Sequence, residues 1–225
     1  MKKLFVFVLS TFFLTTFLNA QTEPKMHFGL KASPSLAWIM TDTKGISGNG
    51  TKFGFGYGLM TEFNFSSHYA FATGVDVNYR GGNLKLENDL NDSTKSTVEA
   101  KYTIQYVELP LTLKLKTTEI GYFTYYLQFG ISPGINIRAK ADTKTTTQVG
   151  THEATVVEDN DEDVKDGINN FNLSMIISGG LEYTLSGSTV LLTGITFNNG
   201  FLDIFDGDAV KANSNFLALN IGILF

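Results

Sequence analysis

The last eleven residues of the chain, 215–225, constrain its fold more strongly than any other stretch. Read as an extended strand, the segment NFLALNIGILF places its large apolar residues on one face, at Leu217, Leu219, Ile221, Ile223 and Phe225. The positions between them are mostly small or polar. The apolar face needs either a protein core or lipid against it. In a transmembrane β-barrel, lipid covers this face, and the small and polar residues face the lumen.

Seven other segments alternate in a similar way, so the chain is predicted to form eight strands. The predicted strands are 27–40, 52–64, 69–80, 101–115, 122–138, 170–184, 189–198 and 215–225. Strand 101–115 changes phase, because its apolar residues are even-numbered up to Tyr106 and odd-numbered from Val107. The change occurs close to Pro110, which cannot donate a hydrogen bond to the sheet, and we interpret it as a β-bulge.

Long and short connections alternate between these strands. The long, polar connections are 41–51, 81–100, 139–169 and 199–214, and the short ones are 65–68, 116–121 and 185–188. Outer-membrane barrels have an even number of strands, short periplasmic turns and long extracellular loops. The pattern therefore predicts an all-β fold, an eight-stranded antiparallel transmembrane β-barrel of up-and-down topology. It would lie in the outer membrane of a Gram-negative bacterium with both termini in the periplasm. A soluble barrel around a small ligand is a less favoured alternative.

The start of the chain has the features of an export signal. Lys2 and Lys3 precede an apolar run that ends at Phe17, and Ala20 supplies the small residue of a cleavage site. This order predicts a signal peptide over 1–20, followed by one barrel domain over 21–225. Removing the two lysines leaves 15 basic and 22 acidic residues, a formal charge of −7. That balance argues against nucleic acid as a partner, because nucleic-acid binding needs a basic surface.

Charged residues on the small and polar strand faces are predicted to lie inside the barrel. They are Lys31, Glu62, Asp76, Glu108, Lys114 and Glu182. Side chains fill the interior of an eight-stranded barrel, so we expect a polar lumen network, with a narrow channel for small solutes as the alternative. Lys31 and Glu62 are expected to pair. Asp76 and Glu108 are expected at one level, where they need a cation, a shared proton, or a network with water or a lysine.

The longest predicted loop, 139–169, is rich in threonine and then in acidic residues. The acidic residues are Glu153, Glu158, Asp159, Asp161, Glu162, Asp163 and Asp166. Alternate aspartates from Asp159 onward resemble the start of a calcium loop, but Val164 and Asn170 stand where that motif needs glycine and glutamate. No metal site and no cofactor are therefore predicted, and weak binding of divalent cations at the surface stays open. We interpret 139–169 as a solvated loop where an unidentified protein partner binds.

The histidines give no indication of catalysis. The three are His27, His68 and His152, and none has an obvious serine or aspartate partner on a predicted strand near the outer rim. Nucleophilic catalysis needs a nucleophile and a base within hydrogen-bonding reach. The chain is therefore predicted not to be an enzyme.

Two further features predict contacts with the membrane and with the machinery that inserts barrels into it. Aromatic residues near strand ends fit the two interfacial girdles of a barrel; they are Trp38, Tyr69, Tyr79, Tyr102, Tyr122 and Tyr183. The final phenylalanine, preceded by alternating apolar residues, resembles the C-terminal signal of outer-membrane barrels. Outer-membrane lipid and the barrel-assembly machinery are the partners that these features imply.

The chain also resembles the PorT-like outer-membrane β-barrel family. The resemblance is carried by FGLKA at 28–32, GFGYG at 54–58, GVDVNY at 74–79, YVELPL at 106–111 and FGISPG at 129–134. It covers nearly all of the chain after residue 20 and implies a small outer-membrane barrel. The named member of that family takes part in the secretion and attachment of exported proteins. The resemblance therefore implies a role accessory to protein secretion.

Overall fold

The computed structural model describes residues 26–91, 94–149, 154–207 and 210–225. The predicted signal peptide lies outside these ranges. Within them no helix is both long and apolar enough to cross a membrane. The described elements are β1 Met26–Thr41, β2 Ile46–Gly48, β3 Lys52–Ser66, β4 Tyr69–Asn91, β5 Thr94–Glu108, β6 Leu111–Lys116, β7 Phe123–Val149, β8 Thr155–Asp163, the 3-10 turn η1 Lys165–Gly167, β9 Phe171–Ser186, β10 Thr189–Gly200 and β11 Ala212–Leu224.

These strands close into an antiparallel barrel of eight staves. β1 pairs with β3 on one side and with β11 on the other, so the first and last strands join the ends of the sheet. β5 and β6 form a single stave, interrupted at Leu109 and Pro110, between β4 and β7. The predicted eight-stranded meander is thereby confirmed. Closure leaves the ring without a free edge.

The outside of the ring carries a band of exposed apolar side chains. On β11, Leu217, Leu219 and Ile221 are 44%, 46% and 48% exposed, whereas Ala218 and Asn220 between them are buried. A water-soluble barrel rarely exposes so continuous an apolar surface. The alternation therefore fits lipid on the outside and argues against the soluble alternative.

The two ends of the barrel differ. Three short connections, at 67–68, 117–122 and 187–188, lie at one end, together with Met26 and Phe225. We call this the turn end and the opposite one the loop end.

The prediction that 81–100 and 139–169 are loops is wrong. β4 continues to Asn91 and pairs with β5 from Thr94, and β7 continues to Val149 and pairs with β8. β5 and β7 also pair along these extensions, so one antiparallel sheet, in the order β2–β4–β5–β7–β8, extends beyond the loop end. We call it the protruding sheet. Its strands are rich in threonine, which favours strands, and they are polar because water rather than lipid surrounds them.

The predicted phase change within strand 101–115 is also wrong. Tyr106 and Glu108 face the lumen before Pro110, and Lys114 faces the lumen after it. The inward face of this stave therefore stays even-numbered throughout. Apolar residues at 102–106 point inward because the interior of the loop end is apolar. Pro110 does interrupt the ladder of hydrogen bonds between β5–β6 and β7. The amide of the preceding residue, Leu109, still donates a 2.9 Å hydrogen bond to the Pro133 carbonyl of β7.

A bulge does occur, but it lies on β7. Gln105 pairs with Arg138 and Tyr106 with Asn136, so Ile137 has no partner on β5. The inward face of β7 accordingly changes from the even-numbered Asn136 to the odd-numbered Ala139. The extra residue is what keeps the inner face of β7 in phase with β5 toward the loop end.

Candidate functional site: the filled lumen and the protruding sheet

An ion network fills the lumen near the turn end. It consists of Glu62 on β3, Lys114 and Lys116 on β6, and Glu182 on β9. Lys114 is fully buried and contacts both glutamates. Lys116 lies 2.9 Å from Glu62 and 3.3 Å from Glu182. Because β3, β6 and β9 are separated by the staves β4 and β7, these side chains meet across the lumen rather than along one sheet edge. We call this group the turn-end network.

An aromatic ring supports the buried ammonium group of Lys114. The Nζ atom lies 4.5 Å from the centre of the Tyr126 ring, within the range of a cation–π interaction. Tyr126 fits there because its phenol lies against Gly180 and Gly194, where a Cβ atom would collide with it. Charges taken out of water need this kind of complete pairing to offset their desolvation.

A second network lies at mid-height and joins β1, β4 and β5. Lys31 forms a 2.7 Å ion pair with Asp76, and Arg80 forms a 3.0 Å ion pair with Glu108. The Asn78 side-chain amide donates a 2.5 Å hydrogen bond to Glu108. With the turn-end network, it brings four cations and four carboxylates into the lumen, so the charges balance. We call this second group the mid-lumen network.

Aromatic rings also hold Arg80. Its guanidinium carbon lies 4.4 Å from the centre of the Tyr106 ring and 5.5 Å from that of Phe216. The side chain is almost entirely buried and reaches Asn198 across the lumen at 3.4 Å. Arginine suits such a position because its weakly hydrated, planar group stacks on aromatic faces.

The structure places all six sequence-predicted lumen residues inside the barrel but combines them differently. The expected pair of Lys31 with Glu62 is wrong, because Lys31 binds Asp76 and Glu62 binds lysines of β6. Asp76 and Glu108 do lie directly opposite each other on β4 and β5. Each has its own cation, so neither a shared proton nor a bound metal is needed to hold them together.

Sequence reasoning missed two members of these networks. Arg80 stands four residues after Asp76 and therefore shares its face of β4, a parity that could have identified it. Lys116 was assigned to a turn, although it continues the inward parity of Lys114. The position of a charged residue along a strand shows which face it occupies. It does not show which residue it pairs with across the lumen.

The glycines of β3 make the mid-lumen network possible. In one row across three staves, Lys31 of β1 pairs with Gly58 of β3, and Gly58 pairs with Asp76 of β4. A Cβ atom on Gly58 would collide with the Asp76 carboxylate and come within 2.5 Å of the Val75 carbonyl oxygen. Without a side chain at Gly58, Lys31 can therefore cross β3 to reach Asp76.

Apolar side chains fill the lumen at the loop end. The buried members are Ile39, Leu84, Ile104, Tyr106, Ala139, Ile168, Ile204 and Ala212. The Asn169 side-chain amide donates 2.9 Å hydrogen bonds to the carbonyls of Asp203 and Phe205 and so holds the β10–β11 connection in place. We call the cluster of buried apolar residues the apolar plug.

Tyr102 belongs to the edge of the apolar plug and not to a membrane girdle. Its ring meets that of Phe205 edge-on, with centres 5.1 Å apart. The girdle assignment is therefore wrong for this residue. The loop-end interior is apolar, so an inward tyrosine there cannot be distinguished from an outward one by its residue type.

Among the described residues, the turn-end network, the mid-lumen network and the apolar plug together leave no wide passage through the barrel. Between the two ion networks lies a cavity of about 60 Å³, lined in part by Ser33, Gln128 and Asn220. One water needs roughly 10–15 Å³ of such space, so the cavity has room for a few water molecules. Among the described residues, no cluster of three or more histidines or carboxylates is placed to hold a metal ion.

The acidic residues of the predicted loop lie mainly on a strand. Glu158 to Asp163 belong to β8, which is exposed along its whole length, and Asp166 lies in η1, whereas Glu153 is outside the described ranges. Lys144 of β7 forms a 2.9 Å ion pair with Glu158. A hydrogen bond from Lys140 lowers the pKa of Asp161. In the described part of the chain, β8 pairs with β7 alone, so its outer edge is free.

Comparison with known proteins places the fold among outer-membrane barrels. Residues 19–206 match the family described as outer membrane protein beta-barrel domain. Neisserial surface protein A is 12% identical over 88% of this chain and 97% of its own, with a TM-score of 0.43. OprG from Pseudomonas aeruginosa is 13% identical over 92% and 99%, with a TM-score of 0.39. Ail from Yersinia pestis is 11% identical over 89% and 99%, with a TM-score of 0.32. No curated protein matches the chain.

Proposed function

Because the chain belongs to the outer membrane protein beta-barrel domain family and is located in the outer membrane, we propose that it is a non-enzymatic surface-contact protein. In this proposal the filled barrel anchors the protruding sheet on the outside of the cell, where the sheet binds a partner protein. Both termini lie in the periplasm. Lipid surrounds the barrel, and the barrel-assembly machinery inserts it.

One contrast carries the proposal: the lumen is filled, whereas the protruding sheet is exposed. Catalysis and ligand binding usually need a concave, accessible site, and the cavity enclosed between the two ion networks is only about 60 Å³. A narrow channel is disfavoured for the same reason. Exposed segments on a rigid scaffold, by contrast, are where barrels and other folds commonly place their contacts.

The proposed orientation rests on the lengths of the connections at the two ends of the barrel. Turns in barrels of this type are short on the periplasmic side, and the longer connections face outward. The two longest hairpins of the described chain, β4–β5 and β7–β8, both project from the loop end. We therefore assign the loop end to the cell exterior.

A finer proposal is that the contact serves protein secretion. It rests on the resemblance to the PorT-like family, including the YVELPL segment at 106–111, in which Glu108 pairs with the buried Arg80. Deleting the gene and comparing the exported proteins of the two strains tests it. A secretion defect that the full-length gene restores supports the accessory role, and an unchanged set of exported proteins contradicts it.

Single cysteines test the orientation, because the chain has none of its own. Val157 on β8 and Ser188 in a turn are both exposed and lie at opposite ends. In intact cells, a membrane-impermeant maleimide should label Val157→Cys and leave Ser188→Cys unlabelled until the outer membrane is opened. The reverse pattern would contradict the proposed topology.

A photo-crosslinking residue tests the contact itself. Placed at position 157, it should give one discrete adduct in intact cells, whereas at position 188 it should not give that adduct. Replacing 144–158 with a two-residue turn removes the outer part of the β7–β8 hairpin and keeps the barrel strands. If a crosslinker in the remaining part of β8 gives the same adduct after this change, the outer part of the hairpin is not needed for the contact.

A further inference from the structure

The two faces of the protruding sheet differ in their chemistry. One row across its strands contains four apolar residues and a threonine, namely Ile46, Leu86, Val98, Thr145 and Val157. The next row toward the barrel, on the opposite face, consists of Ser47, Lys85, Glu99, Lys144 and Glu158. Leu84 stands two positions before Leu86, shares its face and belongs to the apolar plug. The apolar face of the sheet is therefore continuous with the interior of the barrel.

An apolar pocket of about 300 Å³ lies between this face and the β10–β11 connection. Leu86, Val98 and Tyr102 line it from the sheet, and Phe205 and Val210 line it from the connection. Several of these side chains also pack against the apolar plug, which forms the floor of the pocket. An apolar cavity of roughly 150 Å³ is enough to hold a benzene ring. The pocket therefore has room for one large aromatic or aliphatic side chain, and we call it the loop-end pocket.

Carboxylates border the loop-end pocket. Among the described residues that line it, Asp206 carries the only charge. Asp159 and Glu162 of β8 lie on the same face of the sheet, in the rows of Ala100 and Tyr102 respectively. None of these three carboxylates has an ion-pair partner in the part of the chain that the structure describes. The surroundings of the pocket are therefore negative and favour a cation beside an apolar group.

The opposite face of the sheet pairs its own charges. Lys85 forms a 2.6 Å ion pair with Glu87, and Lys144 forms a 2.9 Å ion pair with Glu158. Glu99 lies between these two lysines in its row. The apolar face thus combines accessible apolar surface with unpaired carboxylates, whereas the opposite face has neither feature to the same degree.

We propose that the loop-end pocket receives an aromatic or large aliphatic side chain of the partner protein, and that lysine or arginine residues flanking this side chain bind the three carboxylates. The inference rests on the proposed function, because it states which face of the protruding sheet the partner covers and with which chemistry. Large side chains that insert into pockets supply most of the binding energy of many interfaces. Opposite charges around them orient the partner and exclude wrong ones.

Methyl NMR of the full chain in nanodiscs of zwitterionic lipid tests the proposal with the peptide acetyl-Lys-Trp-Lys-amide as the probe. Titration should shift the methyl signals of Ile46 and Val98 in the pocket and leave that of Leu219, in the lipid-facing band, unchanged. Two peptides of the same length separate the contributions. Replacing the tryptophan by alanine, or both lysines by glutamate, should weaken binding about fivefold or more, since each change removes one of the two interactions.

A matched pair of substitutions tests the pocket itself. Val98→Thr puts a hydroxyl group into its wall and keeps the branched shape of the side chain. Val156→Thr makes the same change on the opposite face, because Val156 shares a row with Thr146 and Thr97. The first should lower the peptide affinity about fivefold or more, because binding would bury an unpaired hydroxyl group. The second should bind like the unmodified protein.

A second matched pair tests the carboxylates. Asp206→Asn/Glu162→Gln removes two negative charges beside the pocket and should weaken binding of the lysine peptide about fivefold. Glu87→Gln/Glu158→Gln removes the same charge from the opposite face and should leave binding unchanged. A mobility shift on boiling verifies that each variant is folded, and the comparison of the three peptides on the unmodified protein needs no variant.

Several outcomes would overturn the proposal. Equal loss within either matched pair would indicate a general effect of composition or net charge. Peptide shifts at Leu219 alone would indicate binding to lipid. Pocket signals that change on dilution without peptide would indicate that a second copy of the chain occupies the pocket.

The proposed function and this inference fail separately. If the crosslinker at position 157 gives its adduct in cells but Val98→Thr leaves that adduct unchanged and the peptide does not bind, the pocket is not the docking site and the surface contact stands. If no adduct forms in cells while the peptide still binds in nanodiscs, the proposed function fails and the pocket chemistry stands.

Discussion

Lys31 on β1 reaches Asp76 on β4 across an intervening stave, and the two side chains form a 2.7 Å ion pair over Gly58. Side chains of neighbouring staves usually define a barrel interior row by row. Here Gly58 on β3 has no side chain, so the side chains of β1 and β4 contact each other directly across it. The short path across β3 helps to explain why the lumen is filled at mid-height.

The first prediction concerns this gap. Gly58→Ala should lower the free energy of unfolding in lipid or detergent by about 1–3 kcal/mol, the usual cost of overpacking, because the new methyl group collides with β4. Gly179→Ala is the matched control, since its Cβ atom would meet nothing closer than 3.8 Å. Urea titration should separate the two variants. Equal stability would mean that β3 can shift without cost.

A second prediction concerns the two lysines of the turn-end network. Lys114→Met should destabilise the barrel by about 3–5 kcal/mol, because it leaves two buried carboxylates to share one cation. Lys116→Met should cost less, since that side chain is 11% exposed to water. Lys144→Met, on an exposed pair, should change little. Urea unfolding in lipid vesicles ranks the three, and an equal effect of the first two would contradict the assignment of Lys114 as the central cation.

The apolar plug gives a third prediction. Asn169→Ala should loosen the β10–β11 connection, because its side chain donates two of the hydrogen bonds that hold that segment. Protease should then cut within 201–207 faster than in the unmodified protein, while the barrel itself stays resistant to detergent until heated. Asn160→Ala on β8 provides the control, being exposed and remote from the plug. Unchanged cleavage at 201–207 would show that backbone hydrogen bonds and apolar packing hold the connection without the Asn169 side chain.

The β7–β8 hairpin gives a pH-dependent prediction. Its hydrogen bond from Lys140 lowers the pKa of Asp161 below that of the unfolded chain. The interaction therefore stabilises the hairpin above about pH 4 and is lost as the pH falls through the lowered pKa. Amide protection of β8 should fall between about pH 5 and pH 2 by more than in Lys140→Met, which lacks the interaction. The same fall in both proteins would contradict this assignment.

Strand positions and faces could be predicted well in the lipid-embedded part of the barrel. Lipid and lumen impose opposite preferences there, so alternation at residues such as Leu217 and Ala218 reads directly as outside and inside. The eight staves and their order follow from that alternation and from the short turns. Where the surroundings on the two faces are alike, this reasoning fails. Beyond the loop end water lies on both faces, so alternation does not distinguish the extensions of β4 and β7 from loops.

The same limit explains the errors inside the lumen. The interior of the loop end is apolar too, so the apolar side chains of Tyr102, Ile104 and Tyr106 wrongly predict a lipid-facing position. The bulge that shifts the phase of β7 at Ile137 has no proline to mark it. Lys31 lies two staves from Asp76, and their contact depends on the missing side chain at Gly58 between them, which alternation along one strand cannot reveal.

Planar-bilayer recording of the purified full-length chain tests the central claim most directly, namely that the barrel anchors a surface and does not conduct. With two balanced ion networks and an apolar plug in series, the protein should show no steady conductance over a wide range of voltages, even when a mobility shift on boiling proves that the barrel is folded. Steady, ohmic openings in protein that shows this mobility shift would contradict the filled lumen and favour a narrow channel for small solutes.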